Sequence, residues 1–197
     1  MKAIFIIILS FSSLFSYNKA DLKKLLETNI CQECDLSNVN LSSKNLENAD
    51  LTSSNLIGAD LSNANLLKSN LWGVDLTNAN LTNANVRASN LSGAELINIK
   101  CDNVIFKGVD FSNAVLENIK CDNLSIWSAR FLDTTFENVD FSNAGAAYSS
   151  FYGVDFSGLN ISGAIFWNAK VSSSTLTKEQ CEYLKKEEAI LEDNECE

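Results

Sequence analysis

From Leu36 to Leu176 a mostly large apolar residue recurs at every fifth position, beginning Leu36, Leu41, Leu46, Leu51, Leu56 and Leu61. Most of these centres are Leu, Phe, Ile or Val; Cys101, Cys121 and Ala146 are the departures. Two residues before each centre sits a smaller one, as in Ala49, Ala59 and Ala64, and Asn or Asp stands between, as in Asp50, Asp60 and Asn65. A period of five fits neither a helix nor a long strand. Two inward residues flanking an outward polar one describe a very short extended piece. The two remaining positions are rich in Ser, Thr, Asn and Gly, which turn corners. One five-residue unit is therefore one side and one corner of a polygon.

An internal echo gives the number of sides. Asn98-Ile99-Lys100-Cys101-Asp102-Asn103 returns twenty residues later as Asn118-Ile119-Lys120-Cys121-Asp122-Asn123. Twenty residues per turn means four sides. Where the centre shrinks to Cys101 or Cys121, the residue two before it grows to Ile99 or Ile119, so volume is conserved within the layer, as a close-packed interior requires. The pattern predicts an all-β solenoid, a four-sided parallel β-helix of about seven coils and roughly 35 Å in length.

A solenoid exposes its core at both ends and needs caps. Leu22, Leu25, Leu26 and Ile30 share one helical face, which predicts an N-terminal helical cap over residues 21–31. The repeat follows over 32–176. Thr177 with Gln180 three residues on is a capping-box start. Cys181, Leu184, Ile190 and Leu191 supply the apolar stripe of a helix over 178–191, within a C-terminal cap and tail covering 177–197. Ahead of all this, Lys2 precedes an apolar run from Ala3 to Phe15. That run is too short to span a bilayer but fits the core of a signal peptide. The expectation is a signal over residues 1–20, cut after Ser16 or Ala20. The product is then secreted or periplasmic, with no stable membrane insertion.

Composition removes several kinds of chemistry. The chain has 197 residues, enough for one domain, and no histidine. Histidine general bases, triads and metal ligands are therefore absent. A net charge of −10 argues against a nucleic-acid ligand, which needs clustered cations. No paired-carboxylate pocket, nucleophile with a base, or phosphate loop is visible, so neither an enzyme nor a cofactor is expected. Asp102, Asn103, Asp122 and Asn123 stack as a small oxygen cluster, but Lys100 and Lys120 stand beside it; mutual neutralisation is favoured over Ca²⁺.

Six cysteines in an exported chain invite disulfides. Cys31 and Cys34 lie at the N-terminal cap, and Cys181 and Cys196 bracket the C-terminal helix. These four are the disulfide candidates. They sit at opposite ends of the rod, which excludes a shared metal. Cys101 and Cys121 stack on adjacent coils with parallel Cβ vectors about 4.8 Å apart, wider than the ~3.8 Å a disulfide prefers. They are expected to be buried free thiols.

Units such as Ala49-Asp50-Leu51-Thr52-Ser53 and Ala79-Asn80-Leu81-Thr82-Asn83 give the chain its resemblance: over residues 32–176 it resembles the pentapeptide-repeat family. The resemblance implies a right-handed quadrilateral parallel β-helix. Some members are cytoplasmic dimers that mimic DNA and protect topoisomerases from quinolones; many others, including exported ones, have no assigned activity. With the acidity, this gives one reading, an acidic DNA-mimic inhibitor of a type II topoisomerase. The export signal argues against it, because that target is cytoplasmic.

Sorting outward residues by side gives the other reading. Ile105, Trp127, Tyr148, Ile165 and Trp167 gather on the upper half of one side, whereas the lower half carries Asn45, Glu47, Asn65, Lys68 and Arg87, broken by Leu67. A confined aromatic patch is an interface signal. The expected function is a non-catalytic exported scaffold for protein–protein interaction, with a protein partner or self-association through the aromatic side.

Overall fold

The computed structural model describes residues 17–121 and 124–196. The apolar run Ala3–Phe15 and Ser16 lie outside the described residues. The rest is a parallel β-solenoid in which each rung pairs with the residue twenty positions on. On one side the column is Ile30, Asp50, Asn70, Asn90, Asp110, Arg130, Ser150, Lys170 and Ile190, each paired in parallel with the next. The four sides are called here face 1 (centres Leu36, Leu56 to Leu176), face 2 (Leu41 to Ile161), face 3 (Leu46 to Phe166) and face 4 (Leu51 to Val171). Faces 1 and 3 are opposite one another, as are faces 2 and 4.

The corners explain the composition of the repeat. Asn38 has φ 56°, and the Val39 N–H donates to the Leu36 carbonyl at 3.2 Å. This is the geometry of a turn that needs a left-handed third residue, and Asn tolerates that region better than most side chains. The outward Asn or Asp does more than face water. Its Oδ1 accepts the N–H two residues on, as from Ser42 to Asn40 and from Ser62 to Asp60, both at 3.0 Å. An Asn also reaches the coil beneath: Asn65 Nδ2 donates to Asn45 Oδ1 at 2.8 Å, and Asn85 to Asn65 at 3.1 Å. Hydroxyl bonds from Thr52 outweigh partial burial and hold the Asp50 carboxyl below the usual range; the Ser62 side chain and N–H do the same for Asp60.

The interior changes along the rod. Its first coils are filled by leucine centres such as Leu51, Leu71 and Leu91, all buried. Later coils are filled by phenylalanine: Phe111, Phe131 and Phe151 stack nearly parallel, with centroids 5.0 and 4.7 Å apart. That distance is the strand spacing itself. Polar side chains also enter the core. Ser89 and Thr134 occupy small inward positions and donate to the carbonyls of Leu66 (2.6 Å) and Phe111 (2.9 Å) on the coil below. Among the described residues no buried side-chain polar atom lacks a partner.

Among the described residues, strands longer than a single-residue bridge begin in the later coils: β1 (Glu95–Ile97), β2 (Val115–Lys120), β3 (Arg130–Leu132), β4 (Thr135–Asp140), β5 (Ser150–Tyr152), β6 (Leu159–Asn160), β7 (Lys170–Ser172) and β8 (Thr175–Leu176). Strands β1, β2, β4 and β6 form one sheet; β3, β5 and β7 belong to another.

The ends differ from the sequence expectation. Helix α1 (Lys19–Thr28) is capped by Asn18, whose side chain accepts the Ala20 N–H. It buries Leu25 and partly Leu22, while Leu26 and Ile30 stay half exposed. Asn29, left-handed at φ 59°, stops the helix, so Ile30 becomes the first rung and Cys31 the first buried centre. At the other end α2 (Lys178–Lys186) has the full Thr177/Gln180 capping box. It ends five residues before the expected 191. Ile190 and Leu191 belong instead to β9 (Ile190–Glu192), which pairs with β7, and β10 (Glu195–Cys196) pairs with β8. The chain leaves the coil for one helix and then returns to finish it. Both ends thus add rungs, and the solenoid extends beyond the coils expected for 36–176.

All six cysteines are paired: Cys31–Cys34, Cys181–Cys196 and Cys101–Cys121. The last pair corrects the expectation of free thiols. Its Cα atoms are 5.1 Å apart, inside the roughly 4.4–6.8 Å that disulfides span. The expectation assumed parallel side chains, and two cysteines stacked in register have only to tilt toward one another.

Candidate functional site

Face 3 changes character half-way up. Its backbone column runs Asn45, Asn65, Asn85, Ile105, Ser125, Gly145, Ile165. Up to Asn85 it is a hydrogen-bonded amide ladder; above that it is apolar or small. The next outward column runs Leu67, Arg87, Lys107, Trp127, Ala147, Trp167. Ile105, Trp127, Tyr148, Ile165 and Trp167 are all exposed, between 40% and 55%. The five residues singled out from the sequence thus share one surface.

Their arrangement goes beyond what spacing gives. Trp127 and Trp167 are two coils apart, and the coil between offers only Gly145 and Ala147. A Cβ added at Gly145 would meet nothing within 4 Å, so the space outside this position is open. Tyr148, at the corner with φ 60°, fills the space between the indoles. Its ring centroid is 6.0 Å from that of Trp127 and 5.1 Å from that of Trp167, edge-on at 77° to the latter. Edge-to-face contact of this kind holds aromatic rings in place. Lys107 completes the column, with Nζ 3.6 Å from the Trp127 ring centroid. Sequence reasoning placed the two indoles but missed Lys107, one coil below Trp127 in the same outward column. Ala146, the small centre beneath the ledge, is fully buried and keeps a standard corner, with the Ser149 N–H on its carbonyl at 3.2 Å.

A second concavity, a groove of about 340 Å³, lies between α2 and face 2 and is lined by Asn160, Ser162, Glu179, Gln180 and Tyr183 among others. Gln180 is committed to structure, donating to the carbonyls of Phe156 (2.7 Å) and Leu159 (3.0 Å). Tyr183 donates to the Ala164 carbonyl at 2.9 Å, and burial with the nearby Glu187 charge raises its pKa. Among the described residues no three His, Cys, Asp or Glu side chains are grouped to hold a metal ion. Of the oxygen cluster, Asp122 and Asn123 lie outside the described residues; Asn103 bonds to Asn83 at 3.2 Å. No helix among the described residues is long and apolar enough to cross a membrane.

The family model for pentapeptide repeats, in eight copies, matches residues 30–66, 54–93, 89–123 and 129–168. The chain belongs to the pentapeptide-repeat family. Among solved pentapeptide-repeat structures, trypsin-treated QnrB1, a plasmid-mediated fluoroquinolone resistance protein, is similar at 17% identity. The match covers 74% of this chain and 71% of that one, with a TM-score of 0.52. HetL, a pentapeptide-repeat protein involved in heterocyst differentiation regulation from the cyanobacterium Nostoc, is 20% identical over 91% of this chain and 95% of its own, with a TM-score of 0.31. At 17% identity the likeness to QnrB1 extends to the fold alone. No curated protein matches the sequence.

Proposed function

We propose that this pentapeptide-repeat protein is an exported, non-catalytic binding scaffold that docks a protein partner on the upper half of face 3. The observation that carries this reading is the exposed ledge of Trp127, Tyr148 and Trp167, flanked by Ile105 and Ile165. Interlocked aromatic rings offer large contact area at small ordering cost, as in the anchor residues of interfaces. Export is supported by the apolar run after Lys2 and by three disulfides, which persist in oxidising compartments.

Replacing Trp127 and Trp167 together with Ser tests the reading. Partner capture and self-association should be lost while circular dichroism and the melting temperature stay unchanged. A double variant that still captures and associates as the parent does would retire the ledge as a docking face. The alternative reading is a topoisomerase inhibitor, favoured by the net charge of −10 and by the fold shared with QnrB1. Its test is protection of gyrase by the disulfide-bonded protein; the export reading expects none.

A further inference from the structure

Faces 1 and 3, opposite one another, carry charges of opposite sign over residues 64–168, whereas faces 2 and 4 carry both signs. On face 3 the first unit, 44–48, carries both Lys44 and Glu47; above it the units 64–68, 84–88, 104–108, 124–128, 144–148 and 164–168 contain Lys68, Arg87 and Lys107 and no acidic residue. On face 1 the units 74–78, 94–98, 114–118, 134–138 and 154–158 contain Asp75, Glu95, Glu117, Glu137 and Asp155 and no cation. In a chain of net charge −10, face 3 over residues 64–168 is the side with cations and no acidic residue. This cationic stripe runs directly into the aromatic ledge, through Lys107 on Trp127.

Both stripes stack like charges in register. Asp75 pairs with Glu95 and Glu117 with Glu137 as neighbours on adjacent coils; Arg87 and Lys107 stand one coil apart in one outward column. Like charges directly opposite across a ladder are destabilising. Intramolecular pairing offers no relief: among the described residues the ion pair present is Lys23–Glu27 on α1. A cover of opposite sign relieves each stripe, and each face is such a cover for the other. Both also share one repeat, about 4.8 Å per coil, so charges that match on one coil match on the next.

We infer that the occupant of face 3 is a second copy of this chain, presenting face 1. This rests on the reading of face 3 as a docking face and names its partner. Because donor and acceptor faces lie on opposite sides, the contact is heterologous and does not close on itself. Side-by-side association therefore grows with concentration into open arrays rather than stopping at a symmetric dimer. Exposed charges carry it, so it is sensitive to salt.

Sedimentation velocity of the disulfide-bonded protein tests the inference. The parent protein should shift to larger species with concentration at about 0.05 M salt and return to monomer at about 0.5 M. Glu95→Lys with Glu117→Lys, and separately Arg87→Glu with Lys107→Glu, should each remain monomeric. An equimolar mixture of these two variants should associate again, because each then offers the face the other lacks. A monomeric parent protein, variants that associate as the parent does, or a mixture that stays monomeric overturns the inference. If charge variants change nothing while the Trp127→Ser, Trp167→Ser double variant loses capture of another protein, the docking face stands and the second copy falls. If the aromatic double variant changes nothing either, both fall.

Discussion

The first and last coils of this rod solve the same backbone problem with different side chains. In the coils up to about residue 93, leucines fill the centres and Asn or Asp ladders line much of the outside, as Asn45–Asn65–Asn85 does. In the coils beyond, phenylalanines stack inside, a disulfide ties two neighbouring turns, and the amide column of face 3 gives way to Ile105 and the Trp127–Tyr148–Trp167 ledge. The corner chemistry does not change between them: the Ala49 N–H donates to Leu46 at 3.0 Å, and the Ala144 N–H to Phe141 at 3.0 Å. Outward positions are thus free to vary because the fold is held by corners, ladders and centres. On face 3 the lower half uses its outward amides for bonds between coils, while the upper half exposes apolar and aromatic side chains.

The largest expected difference lies in the core. Phe131 touches the rings of Phe111, Phe136, Phe141 and Phe151. Phe131→Ala should cost about 3–5 kcal/mol and Leu71→Ala toward the lower end of about 2–5 kcal/mol. Urea unfolding of the two variants reads the gap directly; equal midpoints would erase the energetic distinction between the halves.

Next comes the Cys101–Cys121 bond, which closes a loop of 20 residues. Replacing both cysteines with Ser should cost about 3 kcal/mol. Amide hydrogen exchange should locate the loss in β1, β2 and β4 and leave residues 50–90 protected, because a solenoid's repeats contact only their neighbours. Loss of protection spread evenly along the rod would contradict that division.

The smallest effect is with pH. Asp50 and Asp60 in the lower half have folded-state pKa values lowered by hydroxyl and N–H donors. In the upper half, burial raises that of Asp140, but the Ser142 hydroxyl and N–H and the Lys120 charge lower it further. A lowered carboxyl contributes stability above its unfolded value of about 3.9, and that contribution fades as pH falls through the folded value. Melting temperature should therefore drop as pH is taken below about 4. Asp50→Asn with Asp60→Asn should flatten the slope; an unchanged slope would show that these bonds do not discriminate between protonation states.

Much of the architecture was legible because the period is strict: a residue every five positions and an echo at twenty define sides and corners. What sequence reading missed came from side chains with freedom to move. Parallel Cβ vectors kept Cys101 and Cys121 apart on paper, yet small tilts join them. Tyr148 was visible as an exposed aromatic, but its contacts with both indoles depend on ring orientations that spacing does not give. The return of Leu191 to the coil was present in the numbering, in phase with Leu176 fifteen residues earlier, and was hidden by reading a helix through it. The opposed charges of faces 1 and 3 are also present in the sequence, once charged residues are assigned to sides by the twenty-residue period.

Trp72 supplies the sharpest control. It is as exposed as the ledge, at 51%, but lies on face 4 of the lower half, where among the described residues no second exposed aromatic adjoins it on the neighbouring coils. A photoreactive residue placed at position 127 in the disulfide-bonded protein, compared with the same residue at position 72, tests the proposed docking face most directly. Crosslinks concentrated at 127 and near background at 72 are the predicted result. Equal capture at both positions would show that exposure alone, and not the ledge, determines contact.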